Sequence, residues 1–143
     1  MPKFTDQQTL PFTAEQLFAV VSDVEKYPDF LPWCVGSRIY NQKDGQFDAD
    51  VIIGFKAFRE KFTSRVTLVQ NKSVNVDYIK GPMKVLYNHW EFTDNGDGSC
   101  RLDFDVDFTF KSFMLEKMIG KYFETATRKM MKAFIDRAHS LYS

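Results

Sequence analysis

Hydrophobic and polar positions follow two periods along this chain, and the order in which they alternate predicts its architecture. "KFTDQQTLPF" reads as an opening strand stopped by Pro11. Thr13, with Gln16 three residues on, makes a capping box ahead of "AEQLFAVVSDVEKY", whose apolar side is Leu17, Phe18, Val20, Val21 and Val24. Pro28 ends that helical run around Tyr27. A strand-rich middle follows, punctuated by the hairpin turns "KDGQ" and "DNGDGS" and by a break at Gly81-Pro82. From Ser112 to about His139 the period returns to that of a helix, with Leu115, Met118, Ile119, Tyr122, Phe123, Ala126, Met130, Ala133, Phe134 and Ala138 as its apolar stripe. Some 27 residues at about 1.5 Å each predict a rod of roughly 40 Å. The fold class is therefore α+β: strand, short helix pair, antiparallel meander, and a terminal helix over the concave face.

The strands assign faces. In "FREKFTSRVTL", Phe58, Glu60, Phe62, Ser64, Val66 and Leu68 share one side, and Arg59, Lys61, Thr63, Arg65 and Thr67 the other. In "RLDFDVDFTF", Leu102, Phe104, Val106, Phe108 and Phe110 oppose Asp103, Asp105, Asp107 and Thr109. If the basic and acidic strands are neighbours, those charges pair across the sheet. "LYNHWEF" turns Leu86, Asn88, Trp90 and Phe92 inward. Glu60, Ser64 and Asn88 are thus polar groups on an apolar inner face. Either they satisfy one another or nearby Tyr, Trp or backbone groups, or they face a cavity that needs a few polar atoms to orient a ligand. Glu60 and Ser64 stand about 13 Å apart along their strand, which suits different depths of one slot. Gly120 within the long helix suggests a packing or access requirement there.

Composition narrows the classes. The chain of 143 residues is expected to form one domain, 1–143, and its nineteen basic and nineteen acidic side chains cancel. No overall field would draw in nucleic acid, and DNA is not an expected partner. Arg59, Lys61 and Arg65 make one local basic row, which Lys129, Lys132 and Arg137 on the helix can extend. Fifteen phenylalanines, six tyrosines and two tryptophans suit either a bulky core or a lined pocket. Cys34 and Cys100 allow a single bridge, but reduced thiols in a cytoplasmic protein are the expected state. There is no signal-like N-terminus and no apolar run of spanning length. The expected location is the cytoplasm, with peripheral contact at the inner membrane.

Catalytic and metal motifs do not assemble. His89 and His139 have no partner pattern, and no HExxH, paired CxxC or glycine-rich phosphate loop occurs. "DNGDGS" lacks the alternating ligands and closing Glu of a calcium loop. Only Glu60, if buried, could serve as a general base.

With "VSDVEKYPDFLPWCVGS", "EKFTSRVTL", "GPMKVLYNHWEF" and "FTFKSFMLEKMIGKYF" laid out, the chain resembles the coenzyme Q-binding family of the START-like, helix-grip superfamily (SRPBCC, Bet v 1-like). That family overlaps the polyketide cyclase/dehydrase-like grouping and includes bacterial ribosome-association toxin relatives. Tyr27, Pro28, Phe30, Leu31, Pro32, Trp33, Cys34 and Ser37 occur in family order, and Glu60, Phe62, Ser64 and Val66 at family spacing. Met83 stands where phenylalanine is common after "GP". The resemblance implies a seven-stranded antiparallel sheet gripping the C-terminal helix, with a tunnel between them. It also implies a non-enzymatic carrier or chaperone for a hydrophobic ligand, ubiquinone above all, that supports respiration and needs no cofactor. On this expectation Glu60, Ser64 and Asn88 meet a polar headgroup, while Phe62, Trp90, Phe104, Phe108, Met118 and Tyr122 line the tail path. Phe30, Leu31, Pro32 and Trp33 form either the tunnel mouth, in transient contact with a membrane surface, or a plug packed under the long helix. Two alternatives stand beside the carrier: a ribosome-associated inhibitor of subunit joining, and a cyclase-like enzyme using Glu60.

Overall fold

In the computed structural model, the backbone is described for residues 3–55, 58–120 and 122–142, with all their side chains except Phe55, Phe58, Leu115, Met118 and Ile119. Seven antiparallel strands form one sheet: β1 (Lys3–Leu10), β2 (Cys34–Lys43), β3 (Gln46–Phe55), β4 (Phe58–Val69), β5 (Ser73–Lys80), β6 (Met83–Asp94) and β7 (Cys100–Phe110). Their order is β1-β7-β6-β5-β4-β3-β2, so consecutive strands from β2 to β7 are neighbours and β1 closes the sheet against β7. Helix α1 (Ala14–Ser22) links the two edge strands. The turns work as the sequence predicts: Gly45, Gly96 and Gly98 take the positive φ that closes the β2–β3 and β6–β7 hairpins.

The capping box is present. Gln16 N–H donates to Thr13 Oγ1 at 3.1 Å, and Thr13 N–H donates to Gln16 Oε1 at 3.0 Å. The α-helix nevertheless stops at Ser22, before the expected Tyr27, and a separate 3-10 helix spans Val24–Asp29 with Pro28 inside it. A helix that stops early leaves carbonyls without partners. The Tyr27 hydroxyl takes that of Val21, and Ser37 Oγ donates to that of Val24 at 2.8 Å. Burial pushes the Tyr27 hydroxyl well above the ordinary tyrosine range, with the nearby Cys34 and Asp23 adding to the effect.

The terminal helical region is two helices, not the single rod its period predicts. Helix α2 (Phe113–Gly120) begins where Glu116 N–H donates to Ser112 O, and α3 (Phe123–Tyr142) begins where Ala126 N–H donates to Tyr122 O. Gly120, the weakest helix former in the stretch, ends the first of them. The twenty residues of α3 span about 30 Å. They bury Phe134 and Ala138 as expected, and Thr127 and Met131, each one residue past the expected Ala126 and Met130.

Basic β4 and acidic β7 are separated by β5 and β6, so the expected charge ladder between them does not form. The convex face of β2, β3 and β4 carries a buried polar network instead. Asp50 Oδ1 accepts from Thr63 Oγ1 at 2.7 Å and from the Tyr40 hydroxyl at 2.9 Å, while its Oδ2 accepts from Arg38 Nε at 3.0 Å. Asp48 accepts from Arg65 Nε at 3.0 Å and from Asn41 Nδ2 at 2.9 Å. Burial alone would push the Asp50 carboxyl up, but the bonds from Thr63, Tyr40 and Arg38, with the charge of Lys61 nearby, hold it below the usual range. The Arg65 bond, followed by that of Asn41, does the same for Asp48.

Two outcomes follow. Carboxyls whose folded pKa is depressed stabilise the fold above their unfolded pKa of about 4, and that contribution disappears as pH falls through the folded values. Urea titrations of the native protein should therefore show stability falling between about pH 5 and about pH 3, with a shallower fall in Asp50→Asn. Equal slopes would mean the carboxylate is not held down. Tyr27→Phe should lower stability by about 1–2 kcal/mol, because the Val21 carbonyl loses its buried donor while ring packing survives. An unchanged urea midpoint would remove that bond from the account.

Candidate functional site

The interior between sheet and helices divides in two. Toward α1 and α3 it is filled by aromatic rings. Phe134 stands 4.9 Å from Trp90, 5.3 Å from Tyr27 and 5.4 Å from Phe30, all near edge-to-face, and Trp90 stands 4.6 Å from Phe104. The space left there, bordered by Leu10, Leu17, Val20, Trp90 and Phe134, is about 10 Å³. A water molecule needs about that much. Any ligand at this end would have to displace side chains.

The second half is a smaller apolar cluster at the α2 end, joined to the main core through Leu86 and Phe123, which pack against both. Met83, Phe108 and Phe110 are buried there, with Phe62, Tyr78, Leu86 and Phe123 packed against them. Phe108 and Phe123 have ring centroids 4.0 Å apart. Helix α2 is tied to this end by Phe110 N–H, which donates to Glu116 Oε2 at 2.8 Å. At the outer boundary Phe113, Met114 and Tyr122 are exposed.

The expected site residues distribute unevenly over these two halves. Phe62 and Phe108 belong to the α2-end cluster, while Trp90 and Phe104 are buried in the main core. Tyr122 was expected on the apolar stripe, but it sits at the start of α3 and is 55% exposed. Met118 lies outside the described side chains. Asn88 is satisfied within the protein: its Nδ2 donates to Asp105 O at 3.0 Å, and its Oδ1 accepts from Trp90 Nε1 at 2.8 Å. That bond fixes the Trp90 ring. Ser64 is buried on the inward face of β4, 7% exposed. Glu60 keeps the strand phase of Phe62 and Ser64 but is exposed, lying near the start of β4. The desolvated general base that a cyclase-like reading placed at Glu60 is not formed.

The "PDFLPW" segment packs mainly as a plug. Leu31 is buried, Phe30 lies against Phe134 and Tyr27, and Arg137 on α3 sits 5.2 Å over the Phe30 ring. Pro32 and Trp33 are half-buried. Trp33 takes φ 68°, a left-handed backbone held by its carbonyl, which accepts from Gly54 N–H at 2.8 Å. That conformation costs a non-glycine residue about 1–2 kcal/mol. Cys34, at the start of β2, and Cys100 are both buried free thiols.

One residue at the site was not picked out from the sequence. Tyr78 pairs with Ser64 across β4 and β5, and its oxygen accepts from Met83 N–H at 3.0 Å, leaving its own O–H to donate. Its phase with Val74 and Val76 in "SVNVDYIK" marks it as inward-facing. Gly81 makes the arrangement possible. At φ +145° its missing Cβ would lie 2.8 Å from Lys61 O and 3.0 Å from the Tyr78 hydroxyl.

Among the described residues no group of His, Cys, Asp and Glu is placed to hold a metal ion, and no helix is long and apolar enough to cross a membrane. The site is therefore apolar, with a few alcohols and one rim carboxylate.

Proteins of several kinds are similar to this chain. The ribosome association toxin RatA of Escherichia coli (strain K12) is 36% identical over 143 residues, covering 100% of this chain and 90% of that protein. The mitochondrial coenzyme Q-binding protein COQ10 homolog B of Xenopus laevis is 29% identical over 147 residues, covering 98% of this chain and 59% of that protein. The crystal structure of the Zhui aromatase/cyclase from Streptomyces sp. R1128 has a TM-score of 0.84 at 15% identity, over 96% of this chain and 93% of that one, a likeness of fold. Residues 10–135 match the family described as polyketide cyclase / dehydrase and lipid transport. With that match, the seven-stranded sheet and its C-terminal helix, the chain belongs to this START-like, helix-grip family.

Proposed function

We propose that this protein is a non-enzymatic carrier for a hydrophobic small molecule, an isoprenoid quinone of the ubiquinone type, bound beneath α2. The observation that carries this reading is the division of the interior. The α3 half is packed to about 10 Å³, and the α2 half is a smaller apolar cluster, joined to the main core through Leu86 and Phe123, beside a short helix that ends at Gly120. Phe62 and Phe108 form the wall that receives the tail. Ser64 and Tyr78 present hydroxyls to the quinone oxygens, and Glu60 marks the open rim. Trp90, Phe104 and Asn88 close the inner end and limit how deep the ligand goes. Phe30, Leu31, Pro32 and Trp33 brace α3 on the far side. No cofactor takes part, the quinone being cargo. The name of the coenzyme Q-binding relative supports the ligand class.

Native protein purified from quinone-containing cells should yield a quinone to organic solvent, detectable by mass spectrometry. Ser64→Leu should lower that yield by about tenfold or more, since an added side chain in an apolar site costs about 1–3 kcal/mol. Protein that purifies empty and takes up no added ubiquinone would end the carrier reading.

A second reading, association with the ribosome, is favoured by the 36% identity across the whole chain to a protein named for it. All three cations of the basic row are exposed, and Arg65 is engaged by Asp48. Sedimentation with ribosomes that weakens steeply with salt, and that falls in Arg59→Glu with Lys61→Glu, is the outcome this reading requires. Salt-independent or absent co-sedimentation would dismiss it.

A further inference from the structure

The end of the molecule capped by α2 combines two features that a purely solvated surface does not need. It exposes large apolar side chains: Phe113 is 82% exposed, Met114 75% and Tyr122 55%. It also gathers exposed cations at the strand ends and on α2, namely Arg59, Lys61, Lys80, Lys84, Lys111 and Lys117. In a chain whose net charge is zero this concentration is local. Exposed Glu60, between Arg59 and Lys61, is an acid at this edge, and the opposite ends of those strands carry exposed Asp94 and Asp97 beside Lys72 and Arg101.

Hydrogen bonds organise the surface. Lys111 N–H donates to Pro82 O at 3.0 Å, fastening the end of β7 to the β5–β6 turn and bringing Lys111 and Lys84 to the same edge. The acid of α2, Glu116, is half-buried and bonded to Phe110 N–H, so it does not neutralise the exposed face. Lys117 follows Met114 by three residues and Phe113 by four, which puts all three on one side of the helix. A short helix with apolar side chains outermost and lysines beside them fits the boundary of a bilayer. There the apolar groups enter the acyl region and the lysine stems stay with anionic headgroups.

We infer that the α2 end is a docking surface for an anionic lipid bilayer, with Phe113 and Met114 as the inserting side chains and Lys84, Lys111 and Lys117 as the headgroup contacts. The inference deepens the proposed carrier function and rests on it for its purpose, since the same end would then face the phase from which a quinone is drawn. It moves membrane contact from "PDFLPW", whose Phe30 and Leu31 are occupied under α3, to the opposite part of the interior. RNA would also be drawn to the cations. Adjacent Phe113 and Met114, which have no polar atom for a phosphate or a base edge, favour lipid.

The test is flotation of the full chain with vesicles of phosphatidylcholine alone and of equal parts phosphatidylcholine and phosphatidylglycerol. The protein should float with the anionic vesicles and release with salt. Phe113→Asp with Met114→Asp, and separately Lys111→Glu with Lys117→Glu, should each weaken binding by about tenfold or more. These side chains are exposed, and an unchanged thermal midpoint will verify that folding is intact. Native protein that ignores anionic vesicles, or double variants that bind as well as the native chain, would overturn the inference. So would loss of ribosomal RNA binding in the same variants without any vesicle binding, which would assign the surface to RNA. Solvent extracts of the same preparations separate the two proposals. Bound quinone without docking removes the docking surface alone, and docking without bound quinone removes the carrier function alone.

Discussion

The packing of Phe134 on α3 is the contact on which the rest of the structure depends. Its ring meets Tyr27 and Phe30 from the 3-10 segment and Trp90 from the middle of the sheet. One side chain thus joins the terminal helix, the connection after α1 and the concave face. Aromatic edge-to-face contacts add roughly 0.5–1.5 kcal/mol each beyond the area they bury, and this ring makes three of them. The Trp90 ring is itself held by Asn88, which is bonded in turn to the backbone of β7. Closure of the α3 half is therefore fixed by directional bonds as well as by apolar burial.

The convex face reinforces the sheet where helices do not cover it. Asp48 and Asp50 lie two residues apart on β3, and they draw Arg38, Tyr40 and Asn41 from β2 and Thr63 and Arg65 from β4. Each bond net of water contributes modestly, but a buried carboxylate left without these donors would be costly. The network holds β2, an edge strand, in register with the rest of the sheet.

Much of the fold could be read from local chemistry. Every inward residue assigned on β7, from Leu102 to Phe110, is buried, and the Thr13–Gln16 box caps α1 as its spacing requires. What failed were quantities that local pattern does not carry. Strand period placed Glu60 on the correct face but gave no distance from the sheet end, so its exposure was invisible. Helical period runs unbroken through Gly120, and the two helix starts depend on which carbonyls the following residues reach. Asp48 and Asp50 were not singled out, because their donors sit on the two neighbouring strands, β2 and β4, and not on their own. Of the residues expected to line a tail path, Phe62 and Phe108 fall in one cluster, whereas Trp90 and Phe104 belong to the packed core. Tyr78 was overlooked although its alternation with Val74 and Val76 was there to see.

Gly120 separates two stretches of chain that answer to different demands. Substitutions along α3 are filtered by whether Phe134, Met131 and Ala138 still fit the core. Those along α2 are filtered by whatever the small cluster below it must accommodate. A change of recognition at α2 can therefore leave the packed core around Phe134 untouched.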